Sequence, residues 1–356
     1  HLNFKLTDKW SVSGGWRYSD QYLTEKYNHV STVPVDSIAL PGPAVESGTR
    51  NDWSGSINYQ ITPTLFAYAE AASGGTLPGF NSRIETIGQL QEAVPGQEAV
   101  NYELGVKTDW LDHRLRVNAT AFYEDYKSYL NLEIATQCTA ANSLNPGQPY
   151  FLAGGLCPSG TALAGTPGLS PWFYYTGVPA YMPGTELQVY ATPIQRLLIN
   201  FDAGWEVFHS KISDKKNPGY VDPSVRLQPE LDASAGIQYA ILLPKEATLT
   251  PRIDWRYQGY LTNGPQNVTQ ISPNFIIPGY SIFNASLTFA PQGSKWQVSF
   301  RLLNAFNKLY WQQLGSQSSL VVSGAAPTPG NLYPAVARAA TPGTPREWMV
   351  SLHWDL

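Results

Sequence analysis

A chain of 356 residues has room for two ordinary domains or for one large β-barrel. Charged residues make up 14% of it, against roughly 25% in a typical soluble domain, while aromatic residues reach 13%, with 11 Trp and 21 Tyr. The net charge of -4 and the lack of any Lys/Arg run give no electrostatic support for a nucleic-acid partner, and no stretch of about 18 uncharged apolar residues is present to cross a membrane as a helix. Two classes remain: a membrane barrel whose strands are apolar on one face only, and a secreted all-β domain such as a propeller or sandwich.

Taken in chain order, the sequence reads as strands of period two. A stub at Leu2–Leu6 comes first. Further on, Trp53, Ile57, Tyr59 and Ile61 oppose Ser54, Ser56, Asn58 and Gln60. In Leu65–Ala71 small Ala residues alternate with Phe66, Tyr68 and Glu70, and the pattern does not say which face meets lipid. Glu103 and Lys107 share one face of the next strand, as do Asn118, Thr120 and Glu124 of the one after it. Leu197, Ile199, Phe201, Ala203, Trp205 and Val207 oppose Asn200, Asp202, Gly204 and Glu206. Leu249, Ile253, Trp255 and Tyr257 oppose Arg252, Asp254, Arg256 and Gln258; Trp296, Val298, Phe300 and Leu302 oppose Gln297, Ser299 and Arg301. The last strand carries Trp348, Val350, Leu352, Trp354 and Leu356 on one face.

The segments have the roughly 9–11 residues that a tilted strand needs to cross hydrocarbon, whereas strands of soluble sheets average about 5–6. A sandwich core would bury Arg252, Asp254 and Arg256 without water; a wet lumen would not. We therefore expect Ile253, Trp255, Phe201, Phe300 and Val298 to face lipid, and Arg252, Asp254, Arg256 and Asp202 to face inward. Aromatics gather near the strand ends: Trp10, Tyr59, Trp110, Tyr239, Trp296 and Trp354 toward one rim, Trp16, Tyr18, Trp205 and Tyr257 toward the other. They read as interfacial girdles, with plain β propensity as the alternative.

Connections alternate in length. Short ones fall near Thr7–Lys9, Thr62–Thr64, Trp110–His113, Thr192–Gln195, Leu243–Glu246 and Pro291–Ser294; long ones, rich in Gly, Pro, Ser and Asn, fall near Gln21–Thr49, Ser73–Glu98, Thr136–Tyr181, Ser213–Gln228, Asn263–Pro278 and Leu314–Thr344. About thirteen strands result. An odd number cannot close with antiparallel pairing throughout, and open edges are prohibitive in lipid, so N-terminal strands are expected to be missing from this chain. No linker divides residues 1–356 into domains. Cys138 and Cys157, the only cysteines, share one Gly/Pro-rich loop and fit a loop-closing disulfide, with two unpaired thiols as the alternative.

Specific motifs then appear. Val100-Asn-Tyr-Glu-Leu-Gly-Val-Lys107, the strand from Asp109 to Tyr126, Gly15-Trp-Arg-Tyr-Ser-Asp20, Leu77-Pro-Gly-Phe-Asn81, Gly184-Thr-Glu-Leu187, Pro229-Glu-Leu231, Phe283-Asn-Ala-Ser-Leu287, Asn304-Ala-Phe-Asn-Lys-Leu-Tyr310 and Pro345-Arg-Glu347 follow in order. The set resembles the barrel of TonB-dependent outer-membrane receptors over nearly the whole chain. The resemblance implies an all-β transmembrane antiparallel barrel, the last dozen or so of 22 strands. It also implies an N-terminal plug domain and a TonB box, neither of which is in this sequence. It further implies a bacterial outer-membrane location, with membrane lipid, lipopolysaccharide, TonB and the barrel-assembly machinery as partners. The implied function is import of a scarce ligand: a ferric siderophore, cobalamin or an oligosaccharide.

The family usually ends in Phe where this chain has Leu356. A passive porin is the rival reading, and a barrel enzyme a more distant one. The five His residues show no metal spacing, and neither G-x-S-x-G nor a P-loop occurs, so no catalysis and no cofactor are expected. For ligand contact the candidates are Trp172, Phe173, Tyr174 and Tyr175, read as the aromatic end of the longest loop, and the inward-facing Arg252 and Arg256. Loop packing or insertion among lipopolysaccharide is the alternative for the four aromatics.

Overall fold

The computed structural model describes residues 1–25, 44–80, 93–137, 151–153, 172–211, 228–262, 276–316 and 338–354. Cys138 and Cys157 lie outside them. Thirteen strands make one continuous antiparallel sheet: β1 Leu2–Lys5, β2 Trp10–Glu25, β3 Ala44–Thr62, β4 Leu65–Thr76, β5 Gln97–Trp110, β6 Leu115–Gln137, β7 Trp172–Ala191, β8 Leu197–Glu206, β9 Leu231–Tyr239, β10 Thr248–Gln258, β11 Tyr280–Ala290, β12 Trp296–Leu303 and β13 Glu347–Trp354. Along this path each pairs with its neighbours in chain order, a meander with β1 and β13 at its ends, and among the described residues three short strands, Phe151–Ala153, His209–Ser210 and Ile241–Leu242, join the sheet off the path. Among the described residues no helix is long and apolar enough to cross a membrane.

The register shows why the alternation holds. One row of partners across β7 to β11 is Val189, Phe201, Ala235, Trp255 and Phe283; the row beside it is Gln188, Asp202, Ser234, Arg256 and Ile282. Successive side chains of a strand leave opposite faces, so the first row is apolar across five strands while the second carries four polar groups. One small residue, Ala235, stands between Phe201 and Trp255 in the apolar row. Ile253, Trp255, Phe201, Phe300 and Val298 fall on this apolar face, and Arg252, Asp254, Arg256 and Asp202 on the other, as the sequence predicts. In a membrane barrel the apolar face meets lipid and the polar face lines the lumen.

The register also settles β4. Ala67 and Ala69 partner Tyr59 and Ile57 on one side and Val106 and Leu104 on the other, so the alanines belong to the lipid face. Phe66, Tyr68 and Glu70 partner Gln60, Asn58 and Ser56, and point to the lumen. Aromatic pairs mark the lower rim: Trp10 stacks on Tyr59 at 4.2 Å, and Trp296 faces Trp354 across β12 and β13. At the upper level Trp16 faces Trp53.

Two expectations change. The strands β2, β3, β6 and β7 run for 16, 19, 23 and 20 residues, well beyond the roughly 9–11 needed to cross hydrocarbon. Hairpin arms therefore continue above the membrane where loops were expected. In particular β7 begins at Trp172, not at Gly184, and Trp172 to Tyr175 partner Ala135 to Leu132. Their backbone is strand. Turn-forming residues such as Gly177 and Pro179 sit inside this arm, and the ladder absorbs them with a register shift between Val178 and Ala180.

The Asn304-Ala-Phe-Asn motif closes β12 with an elbow. Asn304 and Asn307 take positive φ values of 45° and 48°, a region asparagine tolerates better than most residues. Asn304 is 2% exposed. Its Nδ2 donates to the carbonyls of Lys308 (2.9 Å) and Thr344 (3.0 Å), and its Oδ1 accepts from the Lys308 N–H at 2.8 Å. Its own N–H donates to Asn284 Oδ1 at 2.9 Å, and Asn307 Oδ1 accepts from the Arg346 N–H. Three asparagines thus satisfy an irregular backbone inside the wall, where water is scarce.

Candidate functional site

The polar face is where a solute would meet this wall. Its side chains form local networks, each built across neighbouring strands. On β10, Arg252 donates to Asp254 on its own strand, to Gln238 of β9 at 3.0 Å and to Asn200 of β8 at 3.1 Å. Gly236 leaves the space this requires, since a Cβ there would lie 2.4 Å from Arg252 Nη2 and 2.5 Å from Asn200 Oδ1. Arg252 is committed to the wall. Arg256, four residues up, makes no hydrogen bond or ion pair within contact distance among the described residues; its charge is felt by Asp232 and Tyr280. It lines a hollow of about 330 Å³ with Glu186, Gln188, Asp202, Asp232 and Ser234. The two predicted arginines therefore differ in what holds them: Arg252 is bonded to three wall residues, while Arg256 lies in the hollow beside Asp232.

A second network spans β4 to β6. Tyr68 donates to Glu103 and lies 3.4 Å from the Thr120 hydroxyl, while Lys107 Nζ sits 5.3 Å from its ring centroid. Gly105 lets the phenol pass: a Cβ there would lie 2.2 Å from the ring. Higher up, Tyr126 donates to Glu124, and Tyr129 packs on Tyr126 and Phe208 at 5.2 and 4.5 Å. A third network joins β2 and β3 around Asp52, a nearly buried carboxylate held by Arg17 and Arg50. The sequence reading missed it. Alternation alone places Arg17 and Asp52 on the polar face, but their pairing needs the hairpin register.

Trp172, Phe173, Tyr174 and Tyr175 stand on the upper arm of β7, three strands away from Arg256. No group of three metal-ligating side chains occurs among the described residues.

Below the lower rim, the β5–β6 turn carries a titratable pair. His113 Nδ1 lies 2.7 Å from Asp109 Oδ2, and the proton shared with that carboxylate, then its negative charge, raise the imidazole above its ordinary 6.5; Arg116 opposes this. The folded value exceeds the unfolded one, so the pair supports the turn below about pH 6.5 for as long as Asp109 stays ionised, and that support fades as pH rises through the folded imidazole value. A histidine-ring NMR titration of the protein in detergent should give His113 an upshifted midpoint, and Asp109→Asn should return it to the ordinary range.

An apolar outer face, a polar inner face, short lower turns and tall upper hairpins define the wall of a transmembrane antiparallel β-barrel. Residues 1–307 match the model of the family described as TonB dependent receptor-like, beta-barrel, and the chain belongs to that family. Among solved structures it is similar to the ferric yersiniabactin uptake receptor FyuA from Yersinia pestis (15% identity, TM-score 0.65, 99% of this chain and 44% of that one). It is also similar to the siderophore receptor PiuA from Acinetobacter baumannii (15%, 0.62, 99% and 42%) and to the copper transporter OprC (12%, 0.64, 99% and 47%). The chain spans less than half the length of these proteins.

Proposed function

We propose that residues 1–356 form the C-terminal part of the barrel of an outer-membrane receptor that imports a scarce solute, a ferric siderophore ahead of cobalamin or an oligosaccharide, with energy delivered through TonB. On this reading the chain is not an enzyme. The observation that carries the proposal is the charged, networked polar face on a wall of this family. Passive channels also line their lumens with polar and charged groups, so it is the match of residues 1–307 to the TonB dependent receptor-like family that favours the receptor over the channel. Two of the solved relatives are named as receptors for iron-chelating ligands, which supports the choice among solutes. Arg256 and the Trp172–Tyr175 arm are the residues assigned to ligand contact, the first from the wall and the second from above.

The test uses the complete protein in a Gram-negative host starved of iron. Uptake of radiolabelled ferric complexes should require both this protein and TonB, and should fall several-fold with Arg256→Gln. Uptake that continues unchanged without TonB would replace this reading with the passive channel.

A further inference from the structure

We propose that the β2–β3 arm above Ser54 is a hinged unit of the wall, latched shut by the base of the β4–β5 hairpin. The backbone ladder splits at this level. Among the described residues β3 pairs with β4 from Thr62 to Ser54 and no further, although β3 extends to Ala44 and β4 to Thr76. Each strand keeps its other partner over that length. β2 pairs with β3 as far as Ala44, and β5 pairs with β4 as far as Thr76. The wall is therefore continuous below Ser54 and forked above it. The backbone groups along a fork have no ladder to satisfy them and need other partners.

Side chains bridge the fork. Where it begins, the Trp53 N–H donates to Ser73 Oγ at 2.9 Å. Higher up, Arg50 Nη1 donates to the Gln97 carbonyl at 2.7 Å, and Gln21 Nε2 donates to the Pro78 carbonyl at 2.7 Å. Arg50 is held for this by Asp52, whose Oδ1 accepts from its Nε at 2.5 Å. It reaches across beside Gly75, where a Cβ would lie 2.0 Å from Nη1. Leu77 and Pro78 seat on Gly48: a Cβ at position 48 would lie 3.1 Å from Pro78 Cδ and 3.4 Å from Leu77 Cδ2. The hairpin base is itself fixed on its far side, where Ser128 Oγ of β6 donates to the Gly96 carbonyl at 2.9 Å. So β4, β5 and β6 are the fixed partner, and β2–β3 is the part that can leave. An arm fastened by a few side-chain bonds opens at lower free energy than a strand held by a ladder on both sides. The latch lies wholly between neighbouring strands of this chain, and it holds whichever solute the receptor takes.

Hydrogen exchange of the full-length protein in detergent, read by mass spectrometry, tests this. Gly48→Val is the decisive variant, because two accounts give it opposite signs. Valine suits a strand better than glycine, so an arm that stands alone should exchange more slowly. A latched arm should exchange faster, since valine pushes Leu77 and Pro78 off their seat. We expect the amides of residues 18–24 and 45–50 to exchange roughly tenfold faster, the equivalent of one lost hydrogen bond, with those of residues 54–60 unchanged. Gln21→Ala removes one bond of the latch and leaves the β2–β3 ladder intact. It should speed exchange of the same amides several-fold, and it decides the matter alone if the valine variant does not fold. Slower or unchanged exchange of the arm in the deciding variant overturns the proposal. Equal acceleration below Ser54 overturns it too, because the wall would then loosen as a whole and not at the fork.

Discussion

Asn304→Ala is expected to destabilise the wall by about 4 kcal/mol, about 3 of it from three lost side-chain hydrogen bonds, each leaving a backbone partner poorly satisfied, and about 1 from backbone strain. The partners are the Lys308 N–H, the Lys308 carbonyl and the Thr344 carbonyl. Neither bulk water nor a neighbouring strand can replace the side chain readily, because Asn304 is 2% exposed and sits at the end of β12, where β11 and β13 flank it. Backbone strain adds to the loss. At φ 45° an alanine pays the left-handed penalty of roughly 1 kcal/mol, which glycine escapes. Asn304→Gly should therefore be less damaging than Asn304→Ala by about that amount. Asn304→Asp keeps the acceptor for the Lys308 N–H but loses both donors, and should fall near the alanine variant. Urea unfolding of the complete protein in phospholipid vesicles reads all three. Equal stability of wild type and Asn304→Ala would show that the elbow is held by its neighbours and not by its asparagine.

The elbow also marks where sequence reading stops. Asn304-Ala-Phe-Asn was visible as a motif, but its work is done on Thr344, forty positions away, and no local pattern carries that. The same holds for Arg17 and Asp52, whose faces were not read from the sequence and whose contact exists only because β2 and β3 pair in one register. The faces of β8, β10 and β12 were legible because large apolar groups alternate with charges, and a period of two admits one face assignment. β4 was not, since Ala67, Ala69 and Ala71 are too small to declare a lipid face while Phe66 and Tyr68 imitate one. Register decides it through Ile57 and Leu104. Trp172 to Tyr175 were misplaced for another reason. Gly and Pro around them signal turns in a short strand, but the ladder between β6 and β7 runs long enough to carry them as an arm.

Ile253→Arg should cost about 3 kcal/mol, in the roughly 2–4 kcal/mol range for a cation on the lipid face near the bilayer midplane. Ile253 lies on β10 five residues above Thr248, about 12 Å into a hydrocarbon layer of about 25 Å, and is 53% exposed on the apolar face. An arginine there has no partner, since its register neighbours are Ile237 and Ala285. Ser56→Lys tests the other face at a similar depth. Ser56 sits six residues from the end of β3, beside Ser13 and opposite Glu70, so a lysine meets a wet lumen and a carboxylate. It should change stability by no more than about 1 kcal/mol. Both are read from urea unfolding of the complete protein in vesicles. Similar costs for the two variants, or a larger one for Ser56→Lys, would mean that the faces are reversed or that this sheet does not stand in a bilayer. The contrast is sharp because β10 already carries Arg252 and Arg256 within three residues of Ile253. A one-residue step along a strand turns the side chain to the opposite face. At position 252 the guanidinium has Gln238, Asn200 and Asp254 as partners; at position 253 it would have only lipid.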